Sequence, residues 1–212
     1  MPKVEPFEKH TERYEQWFDE YEHAYESELA ALRRLLSSSD YGVEIGVGSG
    51  RFAAPLGMAV GVDPSERMLA RARDRGIDVV EGVAEALPLK DDAFDVALIV
   101  TTICFVDDIP ATLSEVDRIL GPDGTLVIGY IDKNSPLGQL YQELQDENPF
   151  YRDAVFVSTD ELVADLEAAG FTDFEFVQTI YHELDEIDER EPIHSGYGNG
   201  SFVGIRATRN SP

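Results

Sequence analysis

Apolar side chains recur at three- and four-residue steps through residues 8–36, where Tyr14, Trp17, Phe18, Tyr21, Tyr25, Leu29, Leu32, Leu35 and Leu36 form one stripe. That spacing predicts an amphipathic helix, and Ser37-Ser38-Ser39-Asp40 ends it. The rhythm then shortens. Residues 42–45, 58–62, 77–80 and 94–100 are compact apolar runs of strand length. The last of them holds Val96-Ala97-Leu98-Ile99-Val100, aliphatic throughout, as a central strand covered on both faces should be. Helix signals fall between the strands. Asp63-Pro64-Ser65-Glu66 puts a proline in a first turn and carboxylates near the positive end of the dipole, opening a helix that runs to Arg75 and stops at Gly76. Asp107 or Asp108 opens another that continues through Leu120. Gly121-Pro122-Asp123-Gly124 reads as a turn, and residues 125–131 as a fifth strand.

Strands alternating with helices predict an α/β fold, a parallel sheet with helices on both faces. The last third changes character. A helix is expected over residues 136–144, and Ser158-Thr159-Asp160-Glu161 caps another that reaches Ala169 and stops at Gly170. Strands at 171–180 and 201–207 follow with only a loop between them, so they should pair antiparallel. No repeat, low-complexity tract or Gly/Ser linker divides the chain. It reads as a single domain over 1–212: a helical cap at 1–39, a binding core at 40–131, and a segment at 132–212 carrying a helix and the terminal hairpin.

Composition narrows the partners. With 212 residues and 43% hydrophobic side chains a packed core is available. The longest aliphatic run is far short of the ~20 residues that cross a bilayer. Met1-Pro2-Lys3-Val4-Glu5 lacks the layout of a signal peptide, so the cytoplasm is the expected compartment. The single Cys104 forms no internal disulfide, and histidines at 10, 23, 182 and 194 have no metal-ligand spacing, so no metal is expected. Forty-two acids against 17 bases give a net charge of −25, a field that repels phosphate backbones and anionic lipid. Neither nucleic acid nor a membrane is an expected partner. The acidity suits a high-salt habitat or simply an acidic soluble protein, and the residues favour neither.

Candidate chemistry begins at Glu44-x-Gly46-x-Gly48-x-Gly50, in the first β-to-α turn, where glycines let a ligand approach the backbone. Asp63 lies nineteen residues after Glu44 at the end of the second strand, where a carboxylate can accept both hydroxyls of a ribose. Together they point to a nucleoside. A dinucleotide fingerprint would need glycine at 51, which is Arg51. The acidic surroundings suit a cationic ligand better than a pyrophosphate, and Glu44 suits an ammonium group.

These residues resemble the class I S-adenosylmethionine-dependent methyltransferases, specifically the type 11 group. Val43-Glu44-Ile45-Gly46-Val47-Gly48-Ser49-Gly50-Arg51-Phe52 is similar to that family's first motif, and Gly61-Val62-Asp63-Pro64-Ser65, with Met68 a turn later, to its ribose motif. Residues 82–89 resemble the adenine segment, residues 94–108 the fourth-strand motif, and residues 115–124 the run into the fifth strand. The resemblance spans about residues 40–180. It implies a Rossmann-like seven-stranded sheet in the order 3-2-1-4-5-7-6, with strand 7 antiparallel, and S-adenosylmethionine as cofactor. By the same resemblance Asp63 holds the ribose, flanked by Pro64 and Met68. Gly46, Gly48 and Ser49 pass under the methionine moiety, Glu44 reaches its amino group through water, and Thr101 completes that contact. Val83 stands where the family often has aspartate, so Ala84 and Glu85 would serve the adenine. Cys104-Phe105 replaces a frequent histidine pair.

Methyl transfer from a sulfonium is an in-line displacement that needs positioning and a dry pocket more than it needs a reactive side chain. Tyr130 and Asp132, at the end of the fifth strand, face the expected acceptor side; a packed ring and a helix-capping acid would explain them equally. His194 is the candidate base, in a glycine-rich loop with Tyr197 that can fold over a pocket. Tyr14, Trp17 and Tyr21 of the cap, with Tyr197, are the candidate acceptor contacts. Cys104 reads as a small buried apolar group, and residues 183–191 as a solvated acidic face, with attraction of a cationic acceptor as the alternative that the residues leave open. The expected function is methyl transfer to a small-molecule acceptor. The alternatives are a nicotinamide-dependent oxidoreductase and a protein that binds S-adenosylmethionine without catalysis.

Overall fold

The computed structural model describes residues 3–37 and 41–210. The chain opens with three helices, α1 (Glu5–Lys9), α2 (Thr11–Glu20) and α3 (Glu22–Leu35). It continues with β1 (Gly42–Ile45), α4 (Ala53–Leu56), β2 (Val60–Asp63), α5 (Glu66–Asp74), β3 (Asp78–Glu81), β4 (Phe94–Val100), α6 (Ile109–Ile119) and β5 (Leu120–Ile131). Then come α7 (Pro136–Glu143), α8 (Thr159–Ala168), β6 (Phe171–Thr179), the short β7 (His194–Ser195) and β8 (Phe202–Arg209). One sheet runs β3-β2-β1-β4-β5-β8-β6-β7. Strands β1 to β5 pair parallel, and β8 is antiparallel to both β5 and β6. This is the Rossmann-like order expected from the resemblance, with one strand more, because His194–Ser195 pairs with β6 at the far edge.

Strand β4 shows why the order holds. Side chains alternate across a sheet, and its Ala97 and Ile99 join the core under α6 and α8, whereas Val96, Leu98 and Val100 join the one under α3 and α5. Both faces are dry, so an aliphatic run is what the position requires. Helix α3 lies close on the sheet: a Cβ on Gly129 would meet Leu32 at 2.9 Å and one on Gly204 would meet Leu35 at 3.0 Å.

Three expectations need correction. The single helix over residues 8–36 is broken at His10 and Tyr21, whose backbones leave the helical region (φ −120° and −112°). The breaks let α2 turn over the glycine loop while α3 packs on the sheet; the stop at Ser38–Asp40 lies outside the described residues. Gly121–Gly124 is not a free turn but a bulge within β5: Leu120 pairs with Phe94, and pairing resumes at Thr125 with Val96. Pro64 does not sit in the first turn of α5: the helix begins at Glu66 and its cap is Ser65, whose hydroxyl accepts from the Met68 N–H, so Pro64 precedes the cap. Other ends follow the reading, with Asp108 capping α6 and a reciprocal Ser158–Glu161 box capping α8. Among the described residues no helix is long and apolar enough to cross a membrane.

Candidate functional site

A cavity of about 1250 Å³ opens at the carboxyl ends of β1, β2 and β4, where the strand order reverses. Its first end is the glycine loop. Gly46 and Val47 donate to the Val62 carbonyl at 2.8 and 3.0 Å, drawing the loop against β2. Gly46 has φ +73°, and a Cβ there would lie 2.2 Å from the Thr102 side chain; at Gly48 (φ +51°) it would lie 3.2 Å from the Tyr14 hydroxyl. Both positions therefore present bare backbone to the cavity. Asp63 anchors the loop: its Oδ2 accepts from Gly48 N–H at 2.9 Å and its Oδ1 from Ser65 N–H at 2.8 Å. Burial raises its carboxyl above the ordinary value, and the Ser65 and Gly48 N–H groups pull it back. Each carboxylate oxygen can take a further donor from the cavity side.

Pro64, Met68, Ala84, Glu85 and Thr101 also line the cavity. Glu85 is partly engaged, because its Oε1 accepts from the Asp107 and Asp108 N–H groups at 2.6 and 3.4 Å and so fixes the loop after β4. Glu44 stands behind the loop, 2% exposed and not part of the cavity lining, with Oε2 buried and without a partner among the described residues. Burial pushes its carboxyl well above the usual range, and the Ala53 N–H opposes this. Ser49 is a correction: it is fully buried under α2 beside Glu15 and does not line the cavity.

The residues that seal the loop were missed. Glu15 of α2 accepts from Arg51 Nε at 3.0 Å and from Arg75 at 2.7 Å, and the Arg51 guanidinium lies 5.1 Å from the Phe18 ring centre. Arg51, which breaks the dinucleotide spacing, is thus a latch between cap and core.

The other end of the cavity is aromatic. Tyr14, Trp17 and Tyr21 line it, joined by Phe7, Phe105, Phe150, Tyr141, Tyr151 and Phe156. Phe7 meets Phe105 edge-on at 5.2 Å, and Tyr141 stacks on Tyr151 at 4.3 Å. Cys104 lines it as well, half-buried at the cavity wall and not, as expected, in the core, with its thiol pushed up to about 12 by burial. Tyr130 reaches the wall, but its hydroxyl donates to Thr159 Oγ1 at 2.7 Å and burial raises its phenol.

Three further candidates are not brought to the cavity. Asp132 accepts from Thr159 N–H, Thr159 Oγ1 and Asn134 N–H, each at 2.7 Å, so it is the capping acid that joins β5 to α8. His194 is exposed on the edge strand β7 against the Tyr181 ring. Tyr197 is 42% exposed and donates to Asp160. Pairing of β7 with β6 carries that loop to the sheet edge, away from the strand ends that form the site. The acidic segment is a solvated face at Glu183, Asp185, Glu186, Asp188 and Glu189, all exposed, and the first three also border the cavity. Glu191 departs from that reading, since it is buried and holds Tyr181 N–H and His182.

Fold and site together define a Rossmann-like core that seats a nucleoside at the switch between β1 and β4. The methyltransferase domain family matches residues 43–128. A crystal structure from Thermotoga maritima, titled a SAM-dependent methyltransferase and possible histamine N-methyltransferase, is 48% identical, covers 98% of this chain and 100% of that one, and has a TM-score of 0.95. An uncharacterized protein of Methanocaldococcus jannaschii is 42% identical over 96% of this chain and 98% of its own. A 2-phytyl-1,4-naphtoquinone methyltransferase of a Nostoc strain is 29% identical over 66% of each chain. The chain belongs to the class I S-adenosylmethionine-dependent methyltransferases of type 11, and S-adenosylmethionine is its cofactor. The residues fit that group: a carboxylate at the tip of β2, bare backbone at Gly46 and Gly48, and a buried orphan oxygen on Glu44 behind them.

Proposed function

We propose that the protein transfers a methyl group from S-adenosylmethionine to a small molecule with an apolar or aromatic body, held in the aromatic half of the cavity. One observation carries this reading: a single cavity runs without a break from Asp63 and the glycine loop to Tyr14, Trp17, Tyr141 and Tyr151. When bound, the cofactor supplies a methyl group activated by its sulfonium. Asp63 holds the ribose hydroxyls, Gly46 and Gly48 leave room for the methionine portion, and Glu44 serves its ammonium group through water. Ala84 and Glu85 flank the adenine, and the Thr101 backbone closes the amino end. The aromatic wall excludes water and aligns the acceptor, which is most of what in-line displacement asks of a protein. Tyr130 positions the wall through its bond to Thr159 and is not assigned a proton. No assigned role falls to His194, Asp132, Ser49 or Tyr197.

The dinucleotide alternative is opposed by Arg51, which is committed to Glu15 and Phe18 at the place where the fingerprint needs glycine. Release of S-adenosylhomocysteine on incubation with S-adenosylmethionine and panels of amines, phenols and thiols tests the proposal. Acceptor-dependent release supports it. Tight cofactor binding with no turnover on any panel would instead make the chain a binding protein.

A further inference from the structure

One buried acid has no part in the cofactor contacts. Glu28, in α3, is 3% exposed and lines the cavity, yet it has no hydrogen-bond or ion-pair partner among the described residues. Glu15, equally removed from water, is held by two arginines. The Glu28 carboxyl oxygens are not among the sealed polar atoms and so open to the cavity, where a charge removed from bulk water is held best by a partner of opposite charge bound there. The surroundings specify the partner's chemistry. Glu28 lies close enough to Tyr141 to act on its phenol, Tyr141 stacks on Tyr151, and Tyr21 faces the same pair. Aromatic faces around a carboxylate favour a cation, through both the ring quadrupoles and the charge. The rest of the rim agrees. Glu20, Asp185 and Glu186 line the cavity, whereas Lys3 is turned to Asp107 and Arg13 to the Phe150 ring.

We propose that the methyl acceptor enters as a protonated amine on an apolar or aromatic body, and that Glu28 is the counter-ion that selects it. Where the amine nitrogen is the atom methylated, the ammonium first gives its proton to the Glu28 carboxylate, and the freed lone pair then displaces S-adenosylhomocysteine from the methyl carbon. The inference rests on the methyl-transfer reading above and adds the charge of the acceptor and the residue that reads it. Burial pushes the Glu28 carboxyl up to about 8, so near neutral pH the group is mostly protonated, and a cation beside it favours release of that proton to solvent and the ionised form. The titratable side chains that share the wall with it are Tyr21, Tyr141, Tyr151, Tyr181 and His182, with Asp185 and Glu186 at the rim; His182 is already paired with Glu191.

The test is calorimetric, on protein saturated with S-adenosylhomocysteine at neutral pH. The probes are 2-phenylethylamine and histamine, with 2-phenylethanol as the neutral match. Wild type should bind at least one amine about tenfold or more tighter than the alcohol, and Glu28→Gln should bring the two within about twofold while leaving S-adenosylhomocysteine affinity unchanged. Glu28→Asp should keep part of the preference. Equal binding of amine and alcohol by wild type, absence of amine binding, or a preference that survives in Glu28→Gln would each overturn the inference. Failure of S-adenosylhomocysteine to bind wild type would instead sink the methyltransferase reading, and the amine preference would then be measured on the protein without it.

Discussion

Replacing Glu28 by Gln should stabilise the ligand-free protein at neutral pH while weakening its hold on a cation. Burial places the folded-state carboxyl at about 8, against an ordinary 4.5. Below the ordinary value both folded and unfolded chains carry the proton, and Glu28 costs nothing by ionisation. As pH climbs between the two values the unfolded chain loses its proton while the folded chain keeps it, so stability falls. At about 1.4 kcal/mol per pH unit the loss is about 3 kcal/mol near pH 7 and roughly 5 kcal/mol above pH 8. Gln has nearly the same shape and cannot ionise, so the variant escapes the loss. For a chain of this size the gain near neutrality corresponds to roughly 6–12 °C in Tm, shrinking to about 2 °C or less near pH 4.5. Melting curves by circular dichroism across that range read the difference between the two proteins, from which other titrating groups cancel. A Glu28→Gln protein that melts below wild type at neutral pH, or that gains equally at both ends of the range, would refute the reasoning. Stability gained where function is lost is the pattern of a residue kept for binding.

Glu15→Gln should lower stability by about 2–3 kcal/mol by stranding Arg51 and Arg75, and it should weaken S-adenosylhomocysteine binding as α2 lifts; thermal melts and titration calorimetry measure both. Burial raises the Glu15 carboxyl, but Ser49, Arg75 and Arg51 outweigh it and hold the group below its ordinary value, so the latch should weaken in wild type only as pH falls below the usual carboxylate range. Gly46→Ala should cost about 3 kcal/mol or more and abolish cofactor binding, since its Cβ would overlap Thr102, whereas Gly57→Ala, at a similar φ of +78° with nothing within 4 Å, should cost about 1 kcal/mol in urea titrations and leave binding intact. His194→Ala and Tyr197→Phe should leave S-adenosylhomocysteine affinity unchanged and stability within about 0.5 kcal/mol, because both side chains face solvent; a large loss of turnover in either would return that loop to the site.

The sheet was legible because its signals are local and redundant. The aliphatic run in β4, the glycines after β1 and the Ser158–Glu161 box each state a backbone requirement within a few residues. The cofactor half of the site was legible for the same reason, since Asp63 and Gly46 lie at fixed offsets from strand ends. The acceptor half is assembled from segments far apart in the chain. Phe7, Phe105, Phe150 and Tyr181 carry no spacing that announces their meeting. His194 looked catalytic because glycines surround it, yet two residues of strand pairing carry it to the sheet edge. Asp132 looked available until Thr159 and Asn134 were seen to fill its lone pairs. Glu28 did leave a trace: it stands three residues after Tyr25 and four before Leu32, an acid inside the apolar stripe of a helix, where a charge needs a reason.

The central claim is that the cavity at the carboxyl ends of β1, β2 and β4 seats the adenosyl group through Asp63. Titration calorimetry of S-adenosylhomocysteine into wild type and Asp63→Asn measures it directly. Two charge-assisted bonds to the ribose should be lost or weakened, about 2–4 kcal/mol, so affinity should fall roughly 30- to 1000-fold while far-ultraviolet circular dichroism stays unchanged. Equal affinity in the two proteins would contradict the account.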